Sequence, residues 1–306
     1  MSKYDNAKGL IFNIVHGSFV DGWGIRTTIF LKGCPLRCVW CCNPEGQSFE
    51  PELRIICSHC NGCGRCVPIC PNHALTVKND IVVVDRSVCN GCGDCVDACW
   101  YGALDIFGKT YTVSQMFEII KKDIQFYKNS DGGLTIGGGE ATCYPEFCLG
   151  MIENCHNAGI TVAIDTCGYV PSELGKEVLR QADLILFDIK GLNSELHQRN
   201  TGRPNATIWA VLDQLDQLKK DVIIRVPVIT GYNDDEAELG KTAERLSHYK
   251  CIKRVDILPV HEYGKSKYEE LDREYLVNGI EKTTPERQKN IYQMFASHGL
   301  ATQIGG

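Results

Sequence analysis

The sequence predicts an α/β fold in which parallel strands alternate with helices and a small cysteine-rich unit interrupts the series near its start. Three observations predict it. From residue 110 onward, short apolar runs alternate with stretches whose apolar residues recur at helical spacing. One β-like run precedes them, and then the alternation stops. Where it stops, cysteines crowd: thirteen of the 18 lie between residues 34 and 99. The 306 residues suffice for one large domain or two smaller ones.

The first strand is TTIFLK, residues 27–32. After the cysteine-rich stretch, Val113, Met116, Phe117, Ile120, Ile124 and Tyr127 mark a helical stretch. GGLTIGGGE then gives a short strand, LTI, and a Gly loop. PEFCLGMIENCHNAG reads as a helix ending at Gly159. ITVAID (160–165), DLILFDI (183–189), VIIRVPV (222–228) and IKRVDIL (252–258) read as buried strands. Helical segments such as TIWAVLDQLDQLKK fall between them. Six strands in alternation with helices imply a parallel sheet or barrel. In such barrels active sites lie at the C-terminal strand ends.

Composition narrows the setting. Net charge is -6, with no basic stretch to suggest a nucleic-acid footprint. No apolar run approaches the roughly 18 residues of a membrane span. The start, MSKYDNAKGLIFNIV, lacks the features of a signal peptide, so a cytoplasmic location is expected. Disulfides are rare in that compartment, and crowded cysteines there point to metal. Cys143, Cys148, Cys155, Cys167 and Cys251 are scattered and read as ordinary packing residues.

Residues 57–71 read CSHCNGCGRCVPICP and residues 89–99 read CNGCGDCVDAC. Each contains C-x2-C-x2-C-x3-C, the bacterial two-cluster ferredoxin spacing, in which the fourth cysteine of each run ligates the other cluster. One 4Fe-4S cluster is then expected on Cys60, Cys63, Cys66 and Cys99. The other is expected on Cys89, Cys92, Cys95 and Cys70. Gly62, Gly64, Gly91 and Gly93 supply the tight turns. Trp100 stands where the pattern puts a second proline, and Cys57 opens an alternative frame. Zinc also takes four thiolates, but its sites usually pair two C-x2-C knuckles.

Residues 33–42 read GCPLRCVWCC. Cys34, Cys38 and Cys41 form C-x3-C-x2-C, which offers three thiolates to a cube of four irons and leaves one iron for another ligand. Cys42 breaks the spacing and is expected to be spare.

This loop resembles that of the radical S-adenosylmethionine enzymes. The resemblance implies that the open iron binds S-adenosylmethionine, whose reductive cleavage yields methionine and a 5′-deoxyadenosyl radical. The implied fold is a partial (β/α)6 TIM-like barrel, residues 1–49 and 108–306. A bacterial-ferredoxin-like α+β domain, residues 50–107, is inserted in it. Gly138, Gly139 and Glu140 resemble the family's GGE motif, which holds the methionyl amino group, and Trp40 occupies the place of an aromatic residue near the adenine.

Further motifs narrow the resemblance. DGWGIRT (21–27) is similar to the DGPGIRT segment of glycyl radical enzyme activating enzymes, with Trp23 in place of proline. AIDTCGY resembles their DTNG strand end, DLILFDIKGLNSELHQRNTG their D-x-K segment, and ILPVHEYGKSKYEEL their LPYHxLGxxKY. The insertion resembles the larger members, which serve choline lyase, arylacetate decarboxylase and benzylsuccinate synthase types. The implied partner is a glycyl radical enzyme, which loses a Cα hydrogen from one glycine. The implied donor is reduced ferredoxin or flavodoxin, feeding the inserted clusters. A structural or docking role is the alternative for the insertion.

By the same resemblance, Lys190, Arg225 and His261 approach S-adenosylmethionine. Asp165, Thr166 and Asp188 match a monovalent-cation site, and Asp21 contacts the incoming glycine loop. The alternative for Lys190 and Arg225 is a barrel-end salt bridge with Asp165 or Asp188. Trp23 and the tail 278–306 are candidates for partner selection. A peptide-modifying relative would more commonly carry its extra cysteines after the barrel. An electron carrier with an inert barrel would leave the C-x3-C-x2-C loop unexplained.

Overall fold

The computed structural model describes residues 3–277 and 279–305; Asn278 and Gly306 of the candidate partner-selecting tail lie outside them. Among the described residues the strands are, in chain order, β1 Lys8–Ser18, β2 Arg26–Leu31, β3 Glu52–Ile55, β4 Leu75–Lys78, β5 Ile81–Val84, β6 Leu104–Phe107, β7 Lys109–Thr112, β8 Gly133–Gly138, β9 Thr161–Thr166, β10 Leu184–Asp188, β11 Val222–Val228, β12 Ile252–Pro259 and β13 Thr302–Ile304.

The six expected strands are β2 and β8–β12. They lie side by side in chain order and run parallel. Parallel strands are covered on both faces, which is why each read as a near-continuous apolar run. Three further strands extend the sheet. β13 adds a parallel edge beside β12, while β1 and β7 add an antiparallel edge beside β2. Periodicity did not flag these edges: β7 is KTYT and β13 is TQI, short and polar as edge strands often are. The order β13-β12-β11-β10-β9-β8-β2-β1-β7 leaves β7 and β13 unpaired with each other, so the barrel is open.

Helices cover the outer face. Several begin at side-chain caps that satisfy the orphan amides of the first turn. Ser172 accepts from Gly175 N, Asp235 from Glu238 N and Thr284 from Arg287 N. Thr112 and Gln115 form a reciprocal capping box. Helix Ala206–Gln217 buries Ile208, Trp209, Val211, Leu212 and Leu215 toward the sheet.

The inner face follows from the two-residue period of a strand. Ala163, Leu184, Leu186 and Ile223 form a small apolar cluster apart from the main core. Asp165, Asp188 and Arg225 share their parity, so these charged groups point into the barrel as well. The register places Asp165 beside Leu186 and Asp188 beside Arg225.

The stretch 52–107 folds back on itself. β3 pairs antiparallel with β6, so the chain enters and leaves this unit at one place. β4 and β5 form a hairpin whose turn residues, Asn79 and Asp80, both take positive φ (49° and 59°), as a two-residue hairpin turn requires. Its own core joins Leu53, Ile55, Leu75, Val82, Val84 and Leu104 to Cys66, Cys70 and Cys95. An ion network fastens the unit to the barrel. Lys32 Nζ lies 2.5 Å from Glu52 Oε2, Arg273 also pairs with Glu52, and Arg54 Nε lies 3.2 Å from Glu270.

Candidate active site

Two cavities lie within the inserted unit. Cys60, Cys63, Cys66 and Cys99 line one; Cys70, Cys89, Cys92 and Cys95 line the other. The exchange of the fourth cysteine between runs, expected from spacing, is thus present in the fold. The two halves repeat in detail. Asn61 accepts from Cys63 N and Asn90 from Cys92 N, each at 3.2 Å. Ala74 N donates to Cys70 Sγ at 3.2 Å, and Ala103 N to Cys99 Sγ at 3.3 Å. Gly62, Gly64, Gly91 and Gly93 all take positive φ. Cys57 sits outside both sets, exposed on a single turn, Cys57–His59.

The loop holding Cys34, Cys38 and Cys41 leaves the C-terminal end of β2. Four contacts fix its path. Gly33 N donates to Gly46 O at 2.8 Å, Arg37 N to Thr201 O at 2.7 Å, Val39 N to Asn200 O at 3.0 Å, and Tyr268 Oη to Cys41 O at 3.0 Å. The C-terminal turn of helix Ser194–Thr201 is therefore a shelf for the loop, a support the sequence reading missed. The three thiols are near enough to feel one another's charge. Burial pushes Cys38 up to about 12 and raises Cys41 too. Buried thiols of this kind become thiolates when iron neutralises them. Among the described residues, no three His, Cys, Asp or Glu draw together tightly enough for a single metal ion. A four-iron cube is wider than one ion and asks for a wider spread of thiols.

The GGE segment follows β8 on the neighbouring strand. Gly139 N donates to Leu31 O at 2.7 Å and Glu140 N to Gly33 O at 2.8 Å, which ties this segment to the cysteine loop. A Cβ at Gly139 would lie 2.2 Å from Gly33 O, so only glycine fits. Glu140 also has a role within the fold. Its carboxylate is fully buried and already holds four donors: Thr142 N, Thr142 Oγ1, Thr166 Oγ1 and Cys167 N. It positions the loop, with three donors on Oε1 and one, Cys167 N, on Oε2.

Here the expectation for Thr166 needs correction. It alternates with Asp165 along β9, so it faces the other side of the sheet and its hydroxyl donates to Glu140 Oε1 at 2.9 Å. Asp165 and Asp188 do face inward, but Thr166 does not join them.

Inside the barrel the cations and carboxylates pair. Lys190 Nζ lies 2.6 Å from Asp188; Arg225 lies 3.1 Å from Asp165 and 3.2 Å from Asp21. The salt-bridge alternative for Lys190 and Arg225 is thus realised. Burial lifts Asp165 to about 7 against the pull of Arg225. Burial acts on Asp21 in the same sense, but Arg225 and the hydroxyls of Ser18 and Thr28 outweigh it and hold Asp21 below its ordinary range. Burial also opposes the charge of Lys190, yet Asp188 keeps it well above the ordinary lysine range.

Asp21 occupies a different place from the one expected. β1 and β2 are antiparallel neighbours, so the loop between them meets β2 at its N-terminal end, opposite to Cys34. The loop runs beneath the barrel toward β11 and β12. Arg225 Nη2 donates to Val20 O at 2.7 Å, and the Arg254 guanidinium lies 4.8 Å from the Trp23 ring centre. Asp21 is a floor residue that steadies Arg225.

Two other candidates sit apart. Trp40 is 8 % exposed and packs with Ile229, Tyr268, Tyr275 and Val277, its ring edge-on to Tyr232. An apolar cluster therefore claims the ring expected beside an adenine. His261 is exposed and lies against Tyr263, with ring centres 4.5 Å apart. Cys167 is the residue that sequence reading undervalued. Its thiol, next to that of Cys34, holds Cys34 below the ordinary thiol range. The available signal was its position at a strand end, two residues after the inward Asp165.

Residues 89–243 match the radical SAM superfamily, and residues 59–103 match the 4Fe-4S dicluster domain. The chain is 41 % identical to the choline trimethylamine-lyase activating enzyme of Oleidesulfovibrio alaskensis, over 89 % of this chain and 90 % of that one. It is 39 % identical to the trans-4-hydroxy-L-proline dehydratase activating enzyme of Clostridioides difficile, over 97 % and 99 %. It is 40 % identical to the benzylsuccinate synthase activating enzyme of Thauera aromatica, over 97 % and 92 %. Among solved structures, Streptococcus suis SuiB bound to precursor peptide SuiA shares the fold at a TM-score of 0.51 and 14 % identity, over 65 % of this chain and 43 % of that one. Its motifs, its fold and these relatives together establish that the chain belongs to the glycyl radical enzyme activating enzymes of the radical SAM superfamily.

Proposed function

We propose that Cys34, Cys38 and Cys41 hold the site cluster, with one iron left for S-adenosylmethionine, and that the inserted unit holds two further 4Fe-4S clusters. The observation that carries this is the pair of inserted cavities, each lined by three cysteines of one run and the fourth of the other. When bound, the site cluster and S-adenosylmethionine supply an electron and a 5′-deoxyadenosyl radical for hydrogen abstraction from a glycine of the partner enzyme. This chain's residues bind and orient. Lys190 is near Cys38, where its charge suits the carboxylate of S-adenosylmethionine. Arg225 adds a second fixed cation, aligned by Asp21 and Asp165. Gly138 and Gly139 let the backbone approach closely, and Glu140 holds their loop to Gly33. Asp165 and Asp188, one inward step apart on adjacent strands, are the carboxylates suited to a monovalent cation.

We further infer a reducing, cytoplasmic setting and a ferredoxin or flavodoxin donor docking near the inserted unit. All 18 cysteines are free, Cys63 and Cys92 are exposed, and among the described residues no helix is long and apolar enough to cross a membrane.

The relatives' identities, 41, 39 and 40 %, lie too close together to select a partner. The test is anaerobic electron paramagnetic resonance of reduced, iron-reconstituted protein mixed with S-adenosylmethionine and a panel of purified glycyl radical enzymes. A glycyl doublet with one partner is expected and names it. Iron for three cubes, with loss of one in Cys34→Ala, is expected alongside. Protein that contains its clusters yet yields neither doublet nor deoxyadenosine overturns the site assignment.

A further inference from the structure

The inserted unit is a repeat, and its two halves differ in ways that cluster binding does not require. Aligned on their cysteines, the runs place Arg65 opposite Asp94, Pro71 opposite Trp100 and Asn72 opposite Tyr101. Because the fourth cysteine crosses over, Trp100 and Tyr101 follow Cys99 to the cavity of Cys60, Cys63 and Cys66, which Arg65 and Tyr101 help to line. The other cavity has Asn72 in the place of Tyr101. The Trp100 ring is 78 % exposed, with the Arg65 guanidinium 3.5 Å from its centre, and Tyr101 is 51 % exposed. Neither ring belongs to the core of the unit. Large rings held in water beside a cation mark an interaction surface more than a packing need.

The halves also stand differently toward the barrel. A Cβ at Gly91 would lie 2.4 Å from Pro51 O, where the chain leaves the barrel; a Cβ at the matching Gly62 would lie 2.7 Å from Asp80, in the unit's own hairpin turn. Leu53 lines the cavity of Cys70, Cys89, Cys92 and Cys95. Arg86, three residues before Cys89, donates to Leu53 O at 2.7 Å and to Glu270 O at 3.3 Å. Tyr268, two residues before Glu270, donates to Cys41 O. This cavity is therefore the inner one. The other, walled by Val77 and Val82 of the hairpin, is the outer one. Charge follows the same division. Exposed Arg65 and Lys78 outnumber Asp80 on the outer half, while the turn Asp94–Asp97 puts two carboxylates on the inner half.

We propose that Arg65, Trp100 and Tyr101 form the docking face for the electron donor, an acidic one-electron carrier protein, so that electrons enter at the outer cavity and leave by the inner one. The proposal rests on the reading that the inserted unit holds two clusters and relays electrons. Arg, Trp and Tyr are the residues on which protein interfaces concentrate their binding energy. The sign of the charge steers an acidic carrier to the outer half and away from the inner one. Cys63 is exposed there, so a docked carrier brings its own redox group close to the cavity. A glycyl radical enzyme fits this face less well, because its glycine must reach the barrel, beyond the inner half. One electron passes from the reduced carrier to the outer 4Fe-4S cluster; the carrier is oxidised by one electron, no covalent bond forms or breaks, and no proton moves.

The experiment measures the affinity of purified oxidised ferredoxin and flavodoxin for full-length, reconstituted protein by calorimetry, at low salt and at about 0.15 M salt. Stopped-flow absorbance then follows cluster reduction by the reduced carriers. At unchanged iron content, Arg65→Glu is expected to weaken binding by about tenfold or more and to flatten its salt dependence. Trp100→Ala is expected to weaken it by about tenfold and to slow reduction in step. The matching inner-half changes, Asp94→Ala and Asn72→Ala, are expected to stay within about twofold of wild type. Unchanged affinity in both outer variants, equal weakening by the inner ones, or no measurable affinity of wild type for either carrier overturns the proposal. So does a Trp100→Ala or Arg65→Glu protein that loses a purified glycyl radical enzyme and keeps the carrier. If Trp100→Ala does not load iron, Arg65→Glu decides. Failure of the underlying reading is distinct: iron would amount to one cube, and no reductant would reveal a second cluster, whichever face the carrier bound.

Discussion

In the inserted unit, the cavity-lining cysteines come from two short runs, and the glycines between them set the spacing locally. At the barrel, the groups around Cys34 come from the ends of β8, β9, β10 and β11 and meet only because the register brings them together. One region is a pair of loops wrapped around their contents. The other is a set of neighbours that no local sequence connects. A change in the first should therefore act on one cavity. A change in the second should spread through shared partners, as it does wherever buried charges and hydrogen bonds are linked.

The sharpest test of this difference is Cys38→Ala. It is expected to abolish deoxyadenosine formation and to lower iron content by about a third, one cube of three, leaving the inserted clusters intact. Retained cleavage would break the three-cysteine assignment. Next is Cys99→Ala, which removes the ligand that crosses between runs. Turnover driven by a reduced ferredoxin or flavodoxin is expected to be lost, while turnover driven by a small chemical reductant survives. Equal loss under both conditions would make the inserted unit a structural part and not a relay.

Arg225→Met probes the linked region. It leaves Asp21 and Asp165 buried without their cation, a change that costs about 3–5 kcal/mol in comparable pairs, readable as a lower denaturation midpoint. Part of that loss should reverse on lowering the pH. Asp165 has a folded pKa near 7, above its ordinary value, so its protonated form favours the fold. Arg225 lowers that value, so without it Asp165 rises further, and the contribution is full below about pH 4 and fades as pH rises through and beyond 7. The smallest effect is expected from Cys42→Ala. Cys42 lies outside the three-cysteine frame, so deoxyadenosine formation should be nearly unchanged.

The same contrast explains what could be read in advance. The cysteines that line the two inserted cavities were legible down to the exchange between runs, since spacing alone encodes them. The six parallel strands were legible because burial on both faces writes apolar runs. The edge strands were not, because β7 and β13 carry polar, short sequences whose structure comes from their neighbours. Individual roles at the barrel were less legible still. Thr166 and Asp165 adjoin in sequence, yet the pleat sends them to opposite faces. Asp21 belongs to a motif near the site loop in sequence, yet the antiparallel turn of β1 into β2 puts it at the far end.

Lys32 bears on how this enzyme could be re-engineered. Its ammonium is fully enclosed at the end of β2, where Glu45 O accepts from it at 2.6 Å and Glu52 neutralises it at 2.5 Å. Glu52 belongs to the inserted unit, and burial already lowers the lysine's pKa. Excising residues 50–107 to make a minimal activator would strand a cation two positions before Cys34. The cargo unit cannot be lifted out of this scaffold without also replacing Lys32 by an apolar residue of similar length, such as methionine. A transplant of the unit onto a small activator would likewise have to bring the lysine with it.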